Sequence, residues 1–368
     1  MKYAFLFGKN WKLSLAELTA YLDMKGIKFT VLDVTKFCAF VECEISPEKV
    51  IDGLGGTLKI VEITNEIPHN GLADYISKLP EGTMVSGCGN HGFFTKIKKC
   101  GALINKGGAI GAMELNRRGI GELYFIESRR MAYFGKTVAC YDPLEQMKRD
   151  DKRPNKDWLT IAPSRARILV NLSRGKQNIL DPFCGMGTIG AEAALAGINI
   201  IYMSDKSKVA VTKTEQNMRW FRKEYGAENK FFYKVADARM LEKEYNKIEA
   251  VATEPDLGAP FKEEPRIRDA RRMMRTLNSL YYAFFRSLHR TLTPGARVAI
   301  VLPCINTGDG KVFAEKEFPG YRPVDIFEKV PGHIRKQLAL KGRTVVDEER
   351  EKGRLRITAR EFCVFRPV

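Results

Sequence analysis

Four acidic residues follow directly after apolar runs in the second half of the chain: Asp181, Asp205, Asp237 and Glu254. Each run has the length and composition of a buried β-strand, and segments with helical periodicity separate the runs. Such an alternation predicts a mainly parallel sheet, which binds ligands at the carboxyl ends of its strands. A single acid after a strand is commonly a helix cap or a turn former. Four in succession indicate a ligand-binding edge instead.

A glycine-rich loop follows the first of these acids, in the stretch LDPFCGMGTIG. Gly185, Gly187 and Gly190 fit the pattern G-x-G-x-x-G, which dinucleotide and S-adenosylmethionine (SAM) sites share. Asp181 separates the two, because a carboxylate beside the helix N-terminus would repel a pyrophosphate bound there. SAM carries a cationic ammonium and a cationic sulfonium instead. The loop therefore favours SAM over a nicotinamide cofactor.

The next two strand-end acids are placed to bind the nucleoside part of SAM. Asp205 comes about 20 residues after the loop, where an acid can accept hydrogen bonds from both ribose hydroxyls. Asp237 ends the following strand and is expected to meet the adenine amino group. Phe183, before Gly185, and Thr188, after Gly187, complete the predicted cofactor site.

The fourth strand end, in the stretch VATEPDLG, is where a substrate would meet the methyl group. An exocyclic base amine is a weak nucleophile, because its lone pair is delocalised into the ring. Glu254 and the carbonyl of Pro255 can accept hydrogen bonds from such an amine. Asp256 is expected to have a secondary role. A carboxylate also suits guanine, which presents two adjacent donors, N1–H and N2–H. The alternative interpretation is a polar turn after a strand.

The composition favours a polyanionic partner. There are 61 basic and 44 acidic residues, a net charge of +17, and nucleic acid is the first class of partner to consider for such a balance. The eight cysteines include no C-x-x-C pair and the four histidines have no metal-ligand spacing, so we expect neither a metal site nor a disulfide framework. The scattered cysteines fit a reducing cytoplasm. We also expect no membrane span and no signal peptide.

The elements that position these residues divide the chain into four parts. Residues 1–65 have the order strand, helix, strand, strand, helix, strand, which is that of a ferredoxin-like unit. Residues 66–140 form a second α+β segment, and residues 141–163 are charged, contain prolines and are interpreted as a linker. Residues 164–368 carry the alternating pattern of a Rossmann-like α/β domain.

The second segment contains a cluster of basic residues. Its strand HGFFTKIKKC alternates apolar and basic residues, and further arginines follow. A solvated face is the alternative for any single lysine, but the cluster favours contact with a nucleic-acid backbone. The residues concerned are Lys96, Lys98, Lys99, Arg117, Arg118, Arg129 and Arg130.

These features together resemble the THUMP-containing tRNA guanine-N2 methyltransferases that act on position 10 of tRNA. The stretches that carry the resemblance are YAFLFGKNWKLSLAELTAYL, KRDDKRPNKDWLTIAPSRARILVNLS, LDPFCGMGTIGAEAALAG and GRLRITAREFCVFRPV, distributed over nearly the whole chain. The resemblance implies a class I methyltransferase domain preceded by ferredoxin-like and THUMP-like domains. It also implies that residues 66–140 dock the acceptor end of tRNA. By the same resemblance, Asp181, Gly185 and Gly187 hold the methionine part of SAM.

The chain departs from this family at the predicted catalytic residues. The family pattern is [DN]-P-P-[YFW], and this chain has Glu254, Pro255, Asp256 and Leu257. The carboxylate is kept with one more methylene, and leucine replaces an aromatic that would stack on the base. We predict a SAM-dependent enzyme that forms N2-methylguanosine in tRNA. The alternatives are an amino-methyltransferase for another RNA or DNA base and an inactive RNA-binding homologue. One methyl versus two, and the oligomeric state, stay open.

Overall fold

The structure is a computed structural model with two large β-sheets, each associated with helices. The N-terminal part of the chain builds the first sheet, and the C-terminal part builds the second. The residues that the structure describes are 1–80, 83–88, 103–104, 123–129, 131–156, 160–340, 342, 344–347, 350–351, 354–355 and 357–368.

The first sheet has the strand order β2-β3-β1-β4-β8-β7-β5-β6. Its strands are β1 (Lys2–Phe7), β2 (Phe29–Val34), β3 (Cys38–Cys43), β4 (Thr57–Pro68), β5 (Met84–Cys88), β6 (Leu103–Ile104), β7 (Leu123–Glu127) and β8 (Met131–Cys140). The long strand β4 pairs with β1 on one side and with β8 on the other. The predicted division at residue 65 therefore falls inside a strand, and the two predicted N-terminal units share one sheet.

In the described residues, three helices accompany this sheet: α1 (Trp11–Met24), α2 (Pro47–Asp52) and α3 (Leu72–Ser77). Asn10 caps the N-terminus of α1, and its side chain accepts a hydrogen bond from the backbone N–H of Leu13 at 3.2 Å. Three of its leucines, Leu15, Leu18 and Leu22, are fully buried. They belong to a hydrophobic core that continues into the second half of the chain, so the two sheets are joined by packed side chains rather than by a tether.

The second sheet has the order β11-β10-β9-β12-β13-β19-β15, with β14 on β13 and β16 on β19. The strands from β11 to β13 are parallel, and β19 runs antiparallel to β13. The strands are β9 (Asn178–Asp181), β10 (Ile200–Asp205), β11 (Lys230–Val235), β12 (Ile248–Thr253), β13 (Leu292–Thr307), β14 (Gly310–Phe313), β15 (Tyr321–Pro323), β16 (Thr344–Asp347) and β19 (Thr358–Pro367). β17 (Arg350–Glu351) and β18 (Arg354–Leu355) form a separate pair. The predicted α/β class is confirmed.

Helices cover both faces of the second sheet. Successive strand residues point to opposite sides, so a strand made of apolar residues needs a packed layer on each face. Ile179 and Ala250 pack in one core with α5 (Pro163–Ser173), α6 (Thr188–Leu195) and α7 (Lys208–Tyr225). Their neighbours Leu180 and Val251 pack in another core, against α8 (Ile267–Leu288). The remaining helices are α4 (Pro143–Lys152), inside the segment predicted as a linker, and α9 (Gly332–Gln337).

A buried carboxylate connects the N-terminal part to α5. Glu17 on α1 accepts hydrogen bonds from the backbone N–H groups of Gly55 and Gly56, each at 2.7 Å. It also accepts one from Asn171 Nδ2 on α5, at 2.7 Å. Burial raises the pKa of Glu17 to about 7. This network fixes the first helix against the domain that carries the glycine loop.

Two features of the described residues bear on the expectations about membranes and metals. No helix described there is long and apolar enough to cross a membrane. Those same residues include no group of histidine, cysteine, aspartate and glutamate side chains that could hold a metal ion.

Candidate active site

The carboxyl ends of β10, β9 and β12 are neighbours at one edge of the second sheet. β9 lies between the other two strands, and the chain proceeds from it to opposite sides of the sheet. Open α/β sheets bind ligands in the crevice that this reversal of direction creates. Asp181, Asp205 and Glu254 stand at or just beyond these strand ends, so the structure brings together three of the four predicted acids around one crevice.

The glycine loop between β9 and α6 has the conformation that its sequence requires. Gly185 and Gly187 have φ angles of +51° and +80°, in the left-handed region that side chains other than glycine rarely adopt. A Cβ on Gly190 would lie 2.2 Å from the sulfur of Met203, so the third glycine allows α6 to pack closely on β10. The backbone N–H of Gly185 donates to Asp205 Oδ2 at 3.3 Å, which joins the loop to the next strand end.

Asp181 is fully enclosed at the base of the loop. Its Oδ1 accepts hydrogen bonds from the Thr253 hydroxyl at 2.7 Å and from the backbone N–H of Phe183 at 3.3 Å. Its Oδ2 is buried and has no hydrogen-bond partner among the described residues. Burial raises the pKa of Asp181 to about 7, and the charges of Asp205 and Glu254 add to the rise. An orphaned carboxylate oxygen is costly, and an ammonium group is a partner that would relieve it.

The two acids predicted to bind the nucleoside differ in their environment. Asp205 is half-buried and accepts from the backbone N–H of Ser207 at 2.9 Å as well as from the loop. Asp237 accepts from the backbone N–H of Arg239 at 2.9 Å and from its Nε at 3.0 Å. The hydrogen bonds from Arg239 lower the pKa of Asp237 to about 2. Asp237 is therefore a fixed anion that caps the turn after β11, and the sequence reasoning missed its arginine partner.

Phe183 and Thr188 flank the glycines in different ways. Phe183 is half-buried and packs edge-on against Phe284 of α8, with ring centroids 5.5 Å apart. Thr188 is buried at the first position of α6, and its hydroxyl accepts a hydrogen bond from Arg153 Nη1 at 2.8 Å. The arginine follows the end of α4, so the segment predicted as a linker contacts the helix that begins directly after the glycine loop.

Asn217 on α7 reinforces this contact. It is fully buried, and its Nδ2 donates to the carbonyl of Met186 in the glycine loop at 2.9 Å. The same amide accepts from the backbone N–H of Asn155 at 2.9 Å and donates to its carbonyl at 3.1 Å. A single side chain thus holds the loop, α7 and the segment after α4 in one arrangement. No sequence motif marked it.

Glu254 is held by an arginine that the sequence reasoning also missed. Arg360 Nε donates to Glu254 Oε2 at 2.7 Å, and Arg360 Nη2 donates to Oε1 at 3.1 Å. Arg360 lies on β19 and is buried, with only 7% of its surface exposed. A bidentate pair of this kind sets the orientation of the carboxylate and balances its charge. Each carboxylate oxygen keeps a lone pair that can accept from a substrate.

The residues after Glu254 form a rigid turn. Pro255 is buried, whereas Asp256 is exposed and accepts a hydrogen bond from the backbone N–H of Gly258 at 2.9 Å. The carbonyl of Asp256 accepts from the Tyr281 hydroxyl at 2.6 Å, and Tyr281 is fully buried on α8. Leu257 is half-buried and packs against the core on the face of the sheet opposite to α8. The turn is therefore held by α8 through Tyr281 on one face and by Leu257 on the other.

Most of the predicted RNA-binding cluster lies outside the described residues. Of its seven members only Arg129 is described, and it is exposed between β7 and β8. The other six are Lys96, Lys98, Lys99, Arg117, Arg118 and Arg130.

The strand order of the second sheet and the acids at its carboxyl edge define a class I methyltransferase domain. The match to a methyltransferase family confirms the predicted methyl donor, SAM. Residues 151–306 match the UPF0020 family, described as an RMKL-like methyltransferase domain. The fold resembles that of TrmN from Thermus thermophilus, with a TM-score of 0.53 and 16% identity over 100% of both chains. It also resembles a possible methylase from Clostridium difficile 630, with a TM-score of 0.50 and 11% identity over 100% of this chain and 98% of that one.

Two curated relatives carry the same description, tRNA (guanine(10)-N2)-dimethyltransferase. The chain is 26% identical over 309 residues to the protein from Methanothermobacter thermautotrophicus, which is 79% of this chain and 85% of the relative. It is 33% identical over 113 residues to the protein from Pyrococcus abyssi, which is 30% of this chain and 32% of the relative.

Proposed function

We propose that this protein transfers a methyl group from SAM to the exocyclic N2 amine of a guanosine in tRNA, at position 10. The observation that carries the proposal is the Glu254 carboxylate, held in place by Arg360 at the strand end beside the glycine loop. The similarity to the Methanothermobacter thermautotrophicus protein, which extends over 79% of the chain, supports the choice of substrate. A cytoplasmic location belongs to the same proposal.

The cofactor site is assigned to the residues of the crevice. Asp181 Oδ2 would bind the ammonium of the methionine part, because this buried oxygen needs a donor. Asp205 would accept from the ribose hydroxyls, beside the glycine loop to which it is hydrogen-bonded. Asp237, fixed by Arg239, would accept from the adenine amino group. SAM supplies a methyl group that its sulfonium makes electrophilic.

The target base is held by the turn after β12. Glu254 accepts a hydrogen bond from N2–H of guanine through an oxygen lone pair that the Arg360 pair leaves free, and the Pro255 carbonyl accepts from the second N2 hydrogen. These acceptors return electron density to the amine and orient its lone pair toward the methyl group. With SAM bound, the new N–C bond would form as the C–S bond to the sulfonium broke, and the amine would then lose one proton to the solvent or to the Glu254 carboxylate. Asp256 stays secondary, because its side chain is exposed and occupied by the turn.

The N-terminal sheet is assigned to tRNA docking. We retain the ferredoxin-like and THUMP-like units for residues 1–65 and 66–140, with the strand β4 shared between them. The buried network around Glu17 supports this role, since a docking surface measures the distance to the target base only if it is rigidly joined to the active site.

The test is methyl transfer to defined RNA, followed by nucleoside mass spectrometry. The protein is incubated with labelled SAM and a tRNA transcript, and a transcript with adenosine at position 10 is the matched control. We expect labelled N2-methylguanosine or N2,N2-dimethylguanosine from the first transcript and none from the second. Label in another nucleoside would contradict the proposed substrate. SAM binding without transfer to any RNA would contradict the proposed activity.

A further inference from the structure

Helix α8 has one buried face and one strongly basic face. Its buried residues Met274, Leu277 and Tyr281 pack under the second sheet. The opposite side of the helix is exposed and carries five arginines, whereas the helix contains a single acidic residue, Asp269. The arginines of this basic face are Arg268, Arg271, Arg272, Arg275 and Arg286.

An ordinary solvated face does not explain this composition. Solvated helix faces mix both signs of charge, and like charges four residues apart destabilise a helix by about 0.2–0.5 kcal/mol per pair. Two such pairs occur here, Arg268 with Arg272 and Arg271 with Arg275. Within the described part of the chain, the only ion pair made by these side chains is a 3.9 Å contact between Arg268 and Asp269. The face is therefore short of anions.

The residue types on this face fit a phosphate backbone. Every cation on it is arginine, whose planar fork of donors binds phosphate oxygens in a bidentate manner. Tyr282 lies among the arginines and is 48% exposed, although a large aromatic side chain is normally buried. Aromatic rings interleaved with arginines bind unpaired bases by stacking while the cations hold the phosphates.

The basic face is close to the turn that holds the target base. On the other side of the same helix, Tyr281 donates its hydrogen bond to the Asp256 carbonyl. Gly258 of the same turn packs against Met273 of α8, whose sulfur would lie 2.5 Å from a Cβ at that position. The arginines and the catalytic turn are thus separated by about one helix diameter, roughly 10–12 Å.

We propose that the exposed face of α8 binds the sugar–phosphate backbone of the substrate RNA beside the target nucleotide. The inference rests on the proposed tRNA methyltransferase function and adds to it a contact surface within the methyltransferase domain. The N-terminal sheet and α8 then hold the RNA at two separated places, with the target base between them.

The test compares two pairs of substitutions in the full-length protein. The variant R271Q/R275Q removes two charges from adjacent turns of α8. The matched control R219Q/K223Q removes two exposed charges with the same spacing from α7, on the other face of the sheet. We expect the α8 variant to raise KM for tRNA by tenfold or more and to lower the slope of log affinity against log salt by about 1.5, because two phosphate contacts are lost. The value of kcat and SAM affinity should be retained.

A further variant separates stacking from charge. Y282A should weaken tRNA binding without changing the salt slope, because it removes no cation. Equal losses in the α7 and α8 variants would overturn the inference, since they would indicate a general effect of charge. If the wild type methylates tRNA and R271Q/R275Q has an unchanged KM for tRNA, the role of α8 is overturned and the proposed function is not. Absence of methylation by the wild type would instead overturn the proposed function.

Discussion

Replacing Asp181 by asparagine should remove a pH-dependent loss of stability and should weaken SAM binding. Burial raises the pKa of Asp181 from 3.8 to about 7 in the folded protein. The folded state therefore binds a proton more tightly than the unfolded state, and stability falls as the pH rises from 3.8 to 7. At 1.36 kcal/mol per pKa unit, the penalty above pH 7 is roughly 4 kcal/mol.

The measurement is urea unfolding of the wild type and of Asp181→Asn at pH 5, 6, 7 and 8. The difference between the two proteins should shift by about 3 kcal/mol in favour of the variant between pH 5 and pH 8. Using this shift, rather than a single value, cancels the pH-independent cost of the new amide. It also cancels the titration of Glu17, whose pKa burial raises to about 7 in both proteins. A pH-independent difference would refute the reasoning.

SAM binding provides the second half of the same prediction. An ammonium beside Asp181 lowers its pKa, so binding should release about 0.9 proton at pH 6 and about 0.1 proton at pH 8. Calorimetry in buffers of different ionisation enthalpy measures this release. Asp181→Asn should abolish it and weaken SAM binding by at least about tenfold, as expected for the loss of a charge-assisted hydrogen bond. An identical proton release in the variant would remove Asp181 from the ammonium site.

Three other substitutions test the remaining assignments. Glu254→Gln should lower the rate of single-turnover methyl transfer by about 10²-fold or more and leave SAM affinity nearly intact. Asp256→Asn should lower that rate less, because the Asp256 side chain only closes the turn. If Asp256→Asn lowered the rate more than Glu254→Gln, the two roles would be exchanged. Arg360→Ala should lower the rate at saturating tRNA, and added guanidinium should restore part of it, because the pair orients the carboxylate; a loss that guanidinium does not reverse would indicate a purely structural role. Asp205→Ala should weaken SAM binding at least about tenfold, measured by calorimetry, and unchanged affinity would exclude it from the ribose site.

The local parts of the methyltransferase domain are determined by the sequence itself. The stretch from Asn178 to Leu195 predicts a strand, a glycine loop and a helix, and the structure has these elements there. The reason is that positive φ angles at Gly185 and Gly187 and the alternation of buried strand residues are properties of neighbouring residues. The acids at the strand ends follow from the same patterns. Their convergence on one edge follows from the parallel order that strand–helix alternation imposes.

The partners of these acids were decided only by the tertiary structure. Glu254 and Arg360 are 106 residues apart, and they meet because β19 pairs with β13 in one particular register. Thr253 reaches Asp181 only because β12 lies beside β9. Strand order and register across a sheet depend on how whole elements pack. The alternation of buried and exposed residues along one strand does not indicate which other strand pairs with it. The sequence pattern therefore identified the carboxylates, and the packing of distant strands selected the groups that orient them.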